Sequence, residues 1–119
     1  MIYHYHELSD ALARVTQEDI IVFPTDTVYG IGASIYSPQA IQEIFEIKQR
    51  PTDKSLIVLC ANKKQLEEIV GPLSSDIEGL VDRFLPGALT LVLNCCKPLC
   101  KEITRGKQTI GVRIPNHPV

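Results

Sequence analysis

The chain has 119 residues, 45% of them hydrophobic, and 12 Lys and Arg against 14 Asp and Glu give a net charge of −2. This length suits one domain, 1–119, with a single modest core, and the apolar fraction excludes wholesale disorder. The charge excludes a surface built throughout for polyanions, so any nucleotide or nucleic-acid contact has to come from a local cluster of Lys and Arg.

Residues 2–5 alternate and read as a short edge strand on which His4 and His6 share a face; with no third ligand nearby, the sequence assigns them no metal. Leu8, Ala11, Leu12 and Val15 recur at helical spacing and predict an amphipathic helix over 7–17. The apolar run at 20–23 predicts a buried strand, which Pro24 ends because it has no N–H for the ladder. A second short strand is expected at 30–35. Ser37 is a candidate N-cap with Pro38 at the first helical position, and Ile41, Ile44 and Phe45 form the stripe of a helix that finishes at 48–50, before Pro51. A turn at 52–54 leads to a strand at 55–60 with almost no polar interruption, expected to be covered on both faces. Asn62 caps a helix carrying Leu66, Ile69 and Val70, and Gly71 with Pro72 stops it. Ser74 or Ser75 opens another, with Ile77, Leu80, Val81 and Phe84 inward, and Pro86 with Gly87 breaks it. Strands at 89–93 and 109–114 complete the pattern. Helices and strands alternate, though not strictly, which predicts a three-layer α/β or α+β fold around a twisted, mixed sheet.

No apolar run approaches the ~20 residues of a membrane helix. The N-terminus lacks the charged and apolar regions of a signal peptide. Cys60, Cys95, Cys96 and Cys100 form no Cys-x-x-Cys pair and read as free thiols in a reducing, cytoplasmic setting.

Three places could carry chemistry. The first is the turn after the 20–23 strand, where Thr25, Asp26, Thr27 and Tyr29 put two hydroxyls, a carboxylate and a phenol within five residues, and Gly30 and Gly32 allow close backbone approach. An ordinary turn, with Asp26 bonding its own backbone, uses the same residues. The second is Lys48, Arg50 and Lys54, the densest positive cluster, which suits either a polyanion or a solvated helix end. The third is Arg113, alone in an apolar strand, with Gly111 beside it leaving room for a ligand. A buried Arg needs a partner, so it either binds a ligand anion or forms a structural ion pair. The dinucleotide fingerprint, the P-loop, the nucleophile elbow and the zinc-protease helix are all missing from the sequence.

Four segments carry a resemblance: FPTDTVYG at 23–30, KQRPTDKSL at 48–56, PGALTLVL at 86–93 and GVRIPNHP at 111–118. In this order they resemble the YrdC/Sua5 family of threonylcarbamoyl-AMP synthases. The resemblance implies a twisted mixed sheet around a positively charged concave groove. It implies a nucleotidyltransferase that combines L-threonine, bicarbonate and ATP, with Mg²⁺ accompanying the ATP, into threonylcarbamoyl-adenylate and pyrophosphate. A separate threonylcarbamoyl-transferase complex then modifies tRNA at position 37. On this resemblance Thr25, Thr27 and Tyr29 line the threonine pocket and Arg113 clamps the threonine carboxylate. Lys48, Arg50 and Lys54 hold the triphosphate, Lys48 and Arg50 as the catalytic cations, and Thr109 touches the nucleotide. Two departures stand out. Ser55 replaces the usual proline, and the chain stops at Val119 where family members continue into a helix, a strand and a Ser-Ala-Asn motif at the nucleotide. A piece of this length is expected to lack part of the ATP site. The alternative is a binding module that grips double-stranded RNA or tRNA without synthase activity.

Overall fold

The computed structural model describes residues 1–51 and 53–119. Thr52, in the expected 52–54 turn, lies outside the described residues. A 3-10 turn, Tyr5–Glu7, leads into α1 (Leu8–Arg14), β1 (Ile20–Phe23), β2 (Gly30–Ala33), α2 (Pro38–Lys48), β3 (Val58–Leu59), α3 (Lys63–Val70), α4 (Ser75–Phe84), β4 (Leu91–Asn94), α5 (Lys101–Thr104) and β5 (Thr109–Arg113). No helix among the described residues is long and apolar enough to cross a membrane.

β5 is the centre of the fold. It runs parallel to β3, with Val58 opposite Val112, and antiparallel to β4, with Leu91 opposite the same Val112. A strand paired on both edges and covered on both faces reads as a continuous apolar run, and Ile110, Val112 and Ile114 are all buried. Around them pack Ile41 and Phe45 of α2, Leu66 and Ile69 of α3, Val81 of α4 and Leu91 of β4. β1 and β2 form a separate antiparallel hairpin with Phe23 opposite Gly30. The class is the expected mixture of helices with parallel and antiparallel strands, divided between two sheets. In the hairpin the Phe23 ring lies across its neighbour strand: a Cβ at Gly32 would stand 2.8 Å from that ring. The glycines there make room for an aromatic side chain.

α2 is bounded as its sequence dictates. The Ser37 hydroxyl accepts the Ala40 N–H at 3.3 Å. At the other end Gln49 adopts a left-handed φ of 50°. The Arg50 N–H then reaches back to the Phe45 carbonyl at 2.9 Å. This is a Schellman closure, and it fixes where Lys48 and Arg50 leave the helix.

Six expectations change. The 20–23 strand forms but is not buried: Val22 is 69% exposed, because β1 pairs only with β2 among the described residues and the hairpin stands apart from the three-stranded sheet. Residues 2–5 are not a strand, because the His4 N–H bonds the Glu7 carboxylate at 2.8 Å and this local bond displaces a ladder. α1 ends at Arg14 and buries no residue, with Leu12 64% exposed, since periodicity defines a face without supplying what covers it. The 55–60 strand shrinks to β3, because the Leu56 N–H goes to the Ile103 carbonyl at 3.1 Å. In α4, Val81 faces the core and Leu85 continues its row, leaving Leu80 and Phe84 partly in solvent. The short α5 was not expected; four residues are too few for a periodic signal.

Candidate active site

At the end of β5, Arg113 is 8% exposed and all three guanidinium nitrogens are engaged. Nε donates to the Gly87 carbonyl at 2.8 Å, Nη1 donates to the Thr27 hydroxyl at 3.3 Å, and Nη2 forms an ion pair with the Asp26 carboxylate. Three segments far apart in sequence thus meet at one cation, and each is shaped locally. The Thr25 hydroxyl accepts the Thr27 N–H at 3.2 Å and donates to the Val28 carbonyl, which folds the turn on itself. The Gly87 N–H donates to the Ile114 carbonyl at 2.8 Å. A Cβ at position 87 would collide with the Phe84 carbonyl oxygen, so the segment that holds Arg113 requires glycine. Sequence reasoning read Gly87 only as a helix breaker; its signal was its place in the PGALTLVL segment.

Beside this node opens a cavity of about 720 Å³. Thr25, Thr27, Tyr29, Lys48 and Arg113 all belong to its wall, together with apolar residues of the β1–β2 hairpin and of α2. Lys48 and Arg113 are its cations and Asp19 its acid. A mostly apolar hollow with a few convergent hydroxyls, a guanidinium and an ammonium suits a small anionic ligand.

Three expected residues stand outside that wall. Arg50 turns onto its own loop, where Nη2 donates to the Ser55 carbonyl at 2.9 Å and Nε is buried without a partner among the described residues. Lys54 is exposed. Thr109 pairs with Asn94 at the opposite end of β5, about 13 Å along the strand from Arg113 at the usual rise per residue. The room expected at Gly111 is filled: a Cβ there would stand 2.9 Å from the Ile57 side chain and 3.3 Å from that of Thr90. Behind Arg113, the Cys60 N–H bonds its carbonyl at 2.8 Å. Burial, and secondarily Glu68, push the Cys60 thiol up to about 11, so it is protonated at neutral pH and serves as apolar backing rather than as a nucleophile.

Residues 13–119 match the family model of the Sua5, YciO and YrdC proteins, described as telomere recombination. The chain belongs to the Sua5/YciO/YrdC family.

Among curated relatives it is 42% identical over 115 residues to the threonylcarbamoyl-AMP synthase of Bacillus subtilis, a match that takes in 95% of this chain and 33% of that protein. It is 40% identical over 109 residues to the threonylcarbamoyl-AMP synthase of Pyrococcus abyssi, covering 92% and 32%. The crystal structure of P. abyssi Sua5 complexed with L-threonine superposes with a TM-score of 0.85 at 37% identity, over 98% of this chain and 34% of that one. The chain therefore has the Sua5/YrdC fold and spans about a third of the length of these relatives.

Proposed function

We propose that this chain carries the threonine-binding part, and one cationic side of the ATP site, of an L-threonylcarbamoyladenylate synthase. The observation that carries the reading is the convergence of Arg113, Thr27, Thr25, Tyr29 and Lys48 on one cavity. The P. abyssi relative of the same fold binds L-threonine. In this reading the Arg113 guanidinium receives the threonine carboxylate, and the Thr25 and Thr27 hydroxyls distinguish the substrate hydroxyl from an apolar isostere. Lys48 faces the phosphates, and Arg50 and Lys54 flank it along the chain with further positive charge. Mg²⁺ arrives on the ATP phosphates, which suits an ion that keeps most of its ligands from water and phosphate. With no side chain placed as a general base, catalysis is positioning: the threonine carbamate, made with bicarbonate, is held in line with the α-phosphorus while cations stabilise the departing pyrophosphate. The adenylate then passes to a transferase acting on tRNA.

The test is threonine-dependent pyrophosphate release from ATP and bicarbonate, measured on this chain and on a chimera that continues it with the remainder of the B. subtilis relative. Threonine-dependent release is expected from the chimera and should fall about a hundredfold with Arg113→Ala. Release that ignores threonine, or none from either protein, overturns the reading.

A further inference from the structure

We infer that Asp26 is a built-in competitor for the ligand carboxylate in this cavity: its side chain holds the anion-binding nitrogen of Arg113 until a ligand carboxylate takes its place. The inference rests on the reading of the cavity as an amino-acid site. A guanidinium offers two edges for a two-pronged carboxylate, Nη1 with Nη2 and Nε with Nη2. Both edges run through Nη2, and Nη2 is the nitrogen paired with Asp26. An incoming carboxylate must either displace Asp26 or take the other hydrogen of that nitrogen, and sharing sets two like charges on one guanidinium.

Of the three acceptors on Arg113, Asp26 is the one able to yield. The Gly87 carbonyl is backbone pinned by its own bond to Ile114. The Thr27 hydroxyl is neutral and belongs to the cavity wall. Asp26 lies on a turn whose next residues, Val28 and Tyr29, are largely in solvent, so its side chain has somewhere to go. Exchange of one carboxylate for another keeps the buried guanidinium compensated with and without ligand. A ligand lacking the carboxylate does not compete with Asp26 for the guanidinium, so its binding is independent of that exchange.

The experiment compares the wild-type chain with Asp26→Asn by calorimetry, using L-threonine, L-threoninol and acetate. Asn keeps the size and an acceptor oxygen but removes the competing charge. L-Threonine and acetate should bind Asp26→Asn about tenfold more tightly than wild type, while L-threoninol shows no gain. In wild type, the carboxyl ¹³C resonance of Asp26 should shift when L-threonine or acetate saturates the site; if the variant does not fold, this resonance decides alone. Equal or weaker carboxylate binding by a folded variant, an equal gain for L-threoninol, or an unmoved resonance overturns the inference. Tightened acetate binding with no L-threonine binding by either protein removes the threonine reading and leaves the role of Asp26 standing.

Discussion

Arg113 and Asp26 form a mostly buried ion pair, and such a pair is far more costly to break than to do without. Arg113→Ala removes a buried side chain that ties three segments together and should lower stability by about 3 kcal/mol in urea denaturation. Asp26→Asn in the same chain should change that loss little, because the Asp26 carboxylate turns out to solvent once its partner is gone and no buried charge is left unpaired. A double variant much more stable than Arg113→Ala would show that the carboxylate stays behind in the fold. The need for a partner at Arg113 was legible in the sequence, since one guanidinium stands in a strand of isoleucine and valine. The identity of the partner was not. Asp26 in its own neighbourhood looks like any turn carboxylate, and nothing local marks a side chain that closes on a residue from the far end of the chain.

Elements whose signals are local matched their sequence closely. Ser37, Asn62 and Ser74 each accept a backbone N–H three residues on, as capping chemistry requires. Elements that depend on distant partners did not. α1 has the spacing of an amphipathic helix without a covering surface, and residues 55–57 have the composition of a strand, yet the Leu56 N–H bonds Ile103 of α5 and the Ser55 carbonyl accepts from Arg50. Between these cases stands the 86–88 segment. Its Pro-Gly pair was visible as a stop, yet its work is to bring a carbonyl to Arg113. Gly87→Ala should therefore do more than remove flexibility: the new methyl meets the Phe84 carbonyl oxygen, and the segment must shift away from β5. The expected result is a loss of about 2 kcal/mol or more in stability together with weaker L-threonine binding. Unchanged stability and binding would mean that the segment relaxes without moving Gly87.

Across the whole molecule, each of the four segments of the family resemblance sends a residue to one end of β5. The Thr25–Tyr29 turn, Gly87 and Arg113 meet there and Lys48 reaches the same hollow from α2, whereas Thr109, outside those segments, sits at the strand's other end. Sequence order could not separate Thr109 from Arg113, since both belong to one strand and only its length distinguishes its ends. Joining Asp26 to Arg113 closes a span of 87 positions, and such long closures are entropically disfavoured until most of the intervening chain is in place. The node is thus expected to assemble late, on the native side of the folding barrier. Stopped-flow measurements should find that Arg113→Ala accelerates unfolding while leaving refolding nearly as fast as before; a matching slowdown in refolding would place the node in the nucleus instead. A latecomer of this kind ties the hollow to maturation: a nascent or misassembled chain lacks the closed wall beside Arg113, and the cavity exists only in molecules that have finished folding.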